Sequence, residues 1–284
     1  MVSRVTILHC ADLHFGHDVD LDQIAGNERL ATDLMPSAVA IAGDITQRAR
    51  HGEFQRALVF VQELRRLAPT LIVPGNHDVQ WWATPFDVIG AGPKYEKYRR
   101  YFGDDLTPTL VIDGAILCGM LTSYGVVAGS MTPNLNDMAV KGHLPARETE
   151  RAAIRFAEES PELLRVMVMH QNLLRGRISE RMGLARWRQA WRNVMATGVD
   201  LVLCGHDHEE RSGVLPNGAV VATSGTHTSR TRGQRPSACN VIVADARTIT
   251  VTHYIWDAND GVFRPGPAAV FPRPRVTELQ DAGG

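Results

Sequence analysis

AVAIAGD, residues 38–44, decides the fold: five apolar residues stop at a Gly-Asp pair. A run this short and apolar reads as a buried strand, and the carboxylate that follows stands at its carboxyl end. The same pattern flanks it on both sides. Upstream, residues 4–10 lead to Asp12-Leu13-His14; downstream, residues 71–73 lead to Gly75-Asn76-His77-Asp78. Between these runs, residues 21–34 and 52–67 repeat their apolar positions at helical spacing. Strand, helix and strand in this order predict βαβ crossovers and parallel strands. Ligand crevices of open α/β sheets lie beyond the carboxyl ends of the strands, so the three polar motifs are expected to converge.

The second half repeats the habit. Residues 165–169 end at His170, and residues 200–204 end at Gly205-His206-Asp207-His208, with helices predicted over 146–159 and 184–196. Residues 213–256 carry short β-branched runs and the turn Pro216-Asn217-Gly218, which predict antiparallel strands and hairpins. One domain over residues 1–258 accounts for this pattern. Residues 259–284, rich in Pro and Gly and without periodicity, are expected to form an arm or frayed tail, and the loop 123–142 a rim to the site.

A hydrophobic content of 44%, a charged content of 21% and a formal net charge of -1 describe an ordinary globular chain, not an overall polyanion binder. The first apolar run is broken by His9, Asp12 and His14, and no other run is long enough to span a bilayer, so the expectation is a cytoplasmic protein without membrane contact. Cys10, Cys118, Cys204 and Cys239 are scattered without CxxC spacing and are expected to be buried free thiols.

The chemistry lies at the strand ends. Of eleven histidines, His14, His77, His170, His206 and His208 follow apolar strands directly, accompanied by Asp12, Asp44 and Asn76. Asp-x-His and Gly-His-x-His place two donors on the same side of an extended segment. A structural zinc site would close with four Cys and His ligands, whereas mixed carboxylate, imidazole and amide donors suit Mn, Fe or Zn with positions open to water and substrate. Asp12, His14, Asp44, Asn76, His170, His206 and His208 suffice for two divalent or mixed-valence ions if one carboxylate bridges, an arrangement suited to phosphoryl transfer.

The ordered motifs DLH, GD, GNHD, H and GHDH, at residues 12–14, 43–44, 75–78, 170 and 205–208, resemble the calcineurin-like metallophosphoesterase superfamily. The resemblance implies a four-layer αββα sandwich, with two central mixed β-sheets flanked by helices. It also implies that Asp12, His14 and His208 hold one metal, that Asn76, His170 and His206 hold the other, and that Asp44 bridges. His77 is then the acid that protonates the leaving oxygen, with Asp78 orienting it. GDITQ at 43–47, VPGNHDV at 73–79 and GHLPARETERAAIRF at 142–156 are similar to class III cyclic nucleotide phosphodiesterases. Many relatives carry a second histidine directly after the position of His170; this chain has Gln171-Asn172. The opening LHCADLHFGH also resembles DNA double-strand-break repair nucleases of the same superfamily, although no segment here is long enough for their additional DNA-capping domain.

The expected activity is hydrolysis of a small phosphodiester, a cyclic nucleotide or another nucleotide-derived diester, by attack of a hydroxide bridging two metals. A phosphomonoesterase, a DNA or RNA nuclease, and a non-enzymatic scaffold are the alternatives. Residues 175–192 hold Arg175, Arg177, Arg181, Arg186, Arg188 and Arg192 with Trp187 and Trp191, and read either as a solvated helix face with inward tryptophans or as a basic rim for phosphate. Arg230, Arg232 and Arg235 form a second group. Trp81 and Trp82 are candidates for stacking on a base, and His17 and His227 for touching substrate. A homodimer contact near residues 270–274 is the remaining partner expectation.

Overall fold

A computed structural model describes residues 4–17, 19–79, 93–124, 141–228 and 231–274. Strands β1 (Val5–Cys10), β2 (Ala38–Ala42) and β3 (Thr70–Val73) are parallel, joined by α1 (Leu21–Leu34) and α2 (His51–Leu67). After the short α3 (Glu96–Phe102), a second sheet begins with β4 (Thr109–Ile112) and β5 (Ala115–Gly119). It continues through α4 (Ala146–Glu158), β6 (Leu164–Val168), α5 (Trp187–Met195), β7 (Leu201–Cys204), β8 (Arg211–Val214) and β9 (Val220–Thr223). The chain then returns to the first sheet as β10 (Ala238–Ala244), β11 (Thr248–Asp257) and β12 (Val262–Pro272). The strand orders are β12-β11-β10-β1-β2-β3 and β4-β5-β6-β7-β9-β8.

Both sheets are mixed: in the first, β1, β2 and β3 are parallel and β10, β11 and β12 add antiparallel, and in the second a parallel centre (β5, β6, β7, β9) carries antiparallel edges β4 and β8. Alternation along the strands builds the layers. Val5, Ile7, Ala40 and Leu71 meet Val166, Leu203 and Val220 between the sheets. The opposite faces take Leu8, Val39 and Ile41 against Phe54, Phe60 and Leu64 of α2, and Met167 and Val202 against Phe156 of α4 and Val194 of α5. Strands buried on both faces read as unbroken apolar runs, which is why β2 shows no alternation in its sequence. Helix α1 starts where Asp20 accepts from the amides of Asp22 and Gln23 at 3.0 and 3.2 Å, a cap contributing about 1 kcal/mol.

One expectation is corrected. The proline-rich segment expected as an arm or frayed tail is, over Val262–Pro272, an ordered strand paired with β11 along its length. Proline is tolerated there because β12 is an edge strand with one side free of ladder bonds. The segment expected to form antiparallel strands and hairpins does so in β8–β9 and β10–β11, and β9 in addition pairs parallel with β7. Trp81, Trp82, Arg230, residues 125–140 and residues 275–284 lie outside the described residues. Among the described residues, no helix is long and apolar enough to cross a membrane. All four cysteines are buried and free.

Candidate metal centre

Strands β1, β2, β3, β6 and β7 deliver their carboxyl ends to one end of the sandwich, and each is followed by donors. Turning those donors inward costs backbone strain. Asp12, His14, Asp44, His206 and His208 have φ of 54°, 46°, 49°, 77° and 53°, in the left-handed region that side chains disfavour by about 1–3 kcal/mol each. Such a concentration of strain in five of seven predicted ligands marks a built site. Gly75 lets two strand ends approach: a β-carbon there would overlap the backbone nitrogen and Oδ1 of Asp44. At Gly205 it would fall 2.6 Å from Asp12 Oδ2.

The seven predicted ligands form two clusters with Asp44 between them, and Asp12 of the first also lies within 4.8 Å of Asp44 and His170. In the first, Asp12 Oδ1 lies 3.3 Å from His208 Nε2 and 3.7 Å from His14 Nε2, and the two ring nitrogens are 3.0 Å apart. In the second, Asn76 Oδ1 lies 2.9 Å from His170 Nε2 and 3.1 Å from His206 Nδ1, with the ring nitrogens 3.2 Å apart. Asp44 Oδ2 lies between them, 3.2 Å from His170 Nε2 and 3.9 Å from His14 Nε2.

Backbone amides divide the work of each carboxylate. Asp12 Oδ2 accepts from the His206 amide and Asp44 Oδ1 from the His77 amide, both at 2.8 Å, which leaves Oδ1 of Asp12 and Oδ2 of Asp44 for the centre. His170 donates Nδ1–H to the Ala42 carbonyl at 2.9 Å, directing Nε2 into the centre. Asp12 Oδ1 is buried without a hydrogen bond, an arrangement expensive for a carboxylate and resolved by a cation. Facing imidazole nitrogens and an orphaned carboxylate oxygen fit two metal ions.

Electrostatics agree. Burial pushes the Asp44 carboxyl up, but His170, His77 and His14 outweigh it and hold Asp44 well below the usual range. Burial opposes charge on His170 too, yet Asp44 raises it to about 9, so without an ion this ring holds a second proton, on Nε2, that an ion would displace. Burial lowers His14 to about 4 and, with His170 adding to the effect, His206 to about 3, so both rings are neutral donors near pH 7.

His77 is half-buried beside this centre, its ring meeting that of His14 edge-on at 4.8 Å between centroids. Its Nδ1 lies 2.7 Å from the Gln47 carbonyl oxygen. Asp78, expected to orient it, does something else. Its fully buried carboxylate accepts from the amides of Ile45, Thr46 and Gly75 and from Thr46 Oγ1, tying the β2 and β3 loops together. Gln47 was visible in GDITQ only as part of a motif, because a backbone carbonyl leaves no signature in side-chain chemistry.

His17 is exposed on the first loop. His227 is fully buried, its Nε2 3.1 Å from Asn27 Nδ2 and its ring against Phe263, so the structure does not bring it to the cleft; its amide instead supports the Asp12 carbonyl. Gln171, in place of a second histidine, is buried against Ser123. Trp187 and Trp191 pack half-buried on the outer core, rings 5.0 Å apart, with the Arg188 guanidinium over Trp187, as the solvated-face reading expects.

The sequence model of the calcineurin-like phosphoesterase family matches residues 5–210, from β1 to just past His208. No curated protein matches the chain in sequence. Among solved structures, purple acid phosphatase PPD1 from yellow lupin (Lupinus luteus) superposes with a TM-score of 0.69 at 12% identity, covering 98% of this chain and 55% of its own. This chain therefore spans about half the length of the lupin protein. A dimetal phosphatase from Danio rerio gives 0.65 at 11% identity over 95% of this chain and 99% of its own. TT1561 of Thermus thermophilus gives 0.51 at 14% identity over 86% and 100%. At these identities the likeness is one of fold.

Proposed function

This chain belongs to the calcineurin-like phosphoesterase family, and from that premise we propose that it is a two-metal phosphodiesterase whose substrate is a nucleotide-derived diester. The observation that carries the reading is Asp44 Oδ2, set between the His14 and His170 nitrogens at 3.9 and 3.2 Å. Asp12, His14 and His208 would hold one ion, Asn76, His170 and His206 the other, and Asp44 both. When bound, such a pair supplies positive charge to phosphoryl oxygens and lowers the pKa of a water toward neutrality.

The rest is the work of the chain. Strained ligand loops and amide-anchored carboxylates keep the donors in place before substrate arrives, so little reorganisation is spent during reaction. His77 donates Nδ1–H to Gln47 and keeps Nε2 as the ring atom available to the departing oxygen. The preference for a diester is supported by the GDITQ, VPGNHDV and 142–156 motifs, and four buried free thiols suit a reducing compartment.

Parallel assays of bis(4-nitrophenyl) phosphate and 4-nitrophenyl phosphate with Mn²⁺ test the proposal. The expected result is a kcat/KM about tenfold or more higher for the diester, equivalent to at least about 1.4 kcal/mol of transition-state preference. Comparable turnover of both would overturn the diester preference, a clear preference for the monoester would identify a monoesterase, and turnover of neither a non-enzymatic scaffold.

A further inference from the structure

The segment 205–211 has two sides. His206 and His208 face the metal centre, while Asp207, Glu209 and Arg211 face the loop 175–181. Asp207 Oδ2 accepts from Ser179 Oγ at 2.9 Å. Glu209 accepts from the amides of Arg177 and Ile178, both at 3.1 Å, and Arg211 donates to the Arg175 carbonyl. Gly176 is pressed so closely on Asp207 that a β-carbon would overlap its carboxylate. Asp207 and Glu209 are 6% and 1% exposed, so this anchorage is internal.

The acids thus hold the loop by its backbone and a hydroxyl. Arg175 and Arg177 remain exposed, and Glu180 is the only acid from residue 175 to 192. Arg235, from a second loop, is paired with Glu210 and lies 3.9 Å from Glu209, so the cations this flank offers are Arg175 and Arg177. The loop is fastened to the residues that alternate with two metal ligands, at the side where His208 is 20% exposed. A guanidinium fork here matches a phosphate lying next to the scissile one.

We propose that residues 175–181 form a subsite for phosphate groups flanking the scissile ester, selecting substrates that carry more than one phosphate, with Asp207 and Glu209 as positioning residues that lock this subsite to the His206–His208 segment. The inference rests on the phosphoesterase reading for its catalytic meaning, but binding tests it separately.

Mn²⁺-loaded protein is titrated with a fluorescently labelled nucleoside monophosphate and the matching β,γ-imido triphosphate, at low and high salt. The triphosphate is expected to bind about tenfold or more tightly, an advantage that shrinks with salt and falls to about twofold in R175A/R177A, two exposed substitutions compatible with folding. Glu209→Ala should weaken triphosphate binding in the same direction, and Glu209→Gln, which keeps one acceptor, should restore part of it. Equal affinity for the two nucleotides, or an advantage that survives in R175A/R177A, overturns the proposal. Aryl-ester turnover in the same preparations reports on the metal centre. A triphosphate advantage without turnover sinks the catalytic reading and leaves the subsite standing.

Discussion

His77 Nδ1 lies 2.7 Å from the carbonyl oxygen of Gln47, so the backbone of the loop after β2, not the adjacent Asp78 carboxylate, orients the ring of His77 and fixes which nitrogen stays available in the proposed acid role. A general acid matters in proportion to how poor the leaving group is. His77→Gln is therefore expected to lower kcat by about 10²–10⁴ on an alkyl phosphodiester and far less on a nitrophenyl one, whose leaving group departs unprotonated. Equal losses on both substrates would remove His77 from the acid role. Asp78→Asn should not reproduce that dependence on the leaving group.

Asp78 instead supports stability. Its carboxylate takes three amides and a hydroxyl at 2.8–3.1 Å in a site with no exposure. Asp78→Ala orphans three buried N–H groups, each costing about 1–3 kcal/mol. Urea denaturation of the metal-free protein is expected to show a loss of at least about 3 kcal/mol; a change below about 1 kcal/mol would mean that the two loops hold each other by other contacts.

Asp44 Oδ2 stands between the two clusters of donors, as a bridging ligand would. Asp44→Asn keeps its shape and its acceptor for the His77 amide while removing the charge that faces His14 and His170. Metal analysis after dialysis is expected to show fewer ions per chain than in the wild type, together with a loss of activity of more than about 100-fold. An unchanged metal content would place the bridge elsewhere.

Buried histidines give the metal-free fold an acid limit. Burial depresses His9 to about 3, His206 to about 3, and His14 and His227 to about 4. In the unfolded chain these rings take up a proton near pH 6.5, but the folded ones stay neutral, so their contribution is present above that value and is lost as pH falls from about 6.5 toward 4. Each ring lowers stability by about 1.4 kcal/mol per pH unit in that window. His170, raised to about 9, acts oppositely and higher: its contribution is full below about 6.5 and is lost as pH rises through 9. Urea midpoints should fall between pH 7 and pH 5. A flat profile would show that these rings are already solvated.

The centre was legible because its donors sit at strand ends, where an apolar run stops and a polar residue must have a reason. DLH, GD, GNHD and GHDH each state such a reason locally, and parallel topology brings them together. Second partners were not legible. Asp78 and His77 are adjacent in sequence, yet one faces the β2 loop amides and the other the Gln47 carbonyl, a split decided by the turn after β3. His227 lies in a Gly-Thr-His-Thr turn that reads as polar, and only the packing of α1 and β12 encloses it, through Asn27 and Phe263. The same limit applied to β12. Three prolines and a glycine conceal an edge strand from pattern reading, because the pairing that stabilises it comes from β11 and not from its own periodicity.

What holds β12 at its end is a residue that composition made look like part of a tail. Arg273, 3% exposed, donates to Asp200 Oδ2 from Nε at 3.3 Å and to the carbonyls of Glu162 and Leu163 from Nη2 at 2.8 and 2.7 Å. Asp200 precedes β7, and Glu162 and Leu163 precede β6, so one guanidinium joins the last strand of the first sheet to two central strands of the second. Asp200, fully buried, also accepts from the Arg165 amide at 2.9 Å. Arg273→Met is expected to cost about 3–5 kcal/mol, the range for breaking a buried pair from one side. Asp200→Asn in the same chain removes the buried charge that faces Arg273, so R273M/D200N should be more stable than R273M alone. Unfolding midpoints of the two single variants and the double variant decide it. Additive losses would show that Arg273 acts through its carbonyl contacts and that the ion pair contributes nothing to the latch.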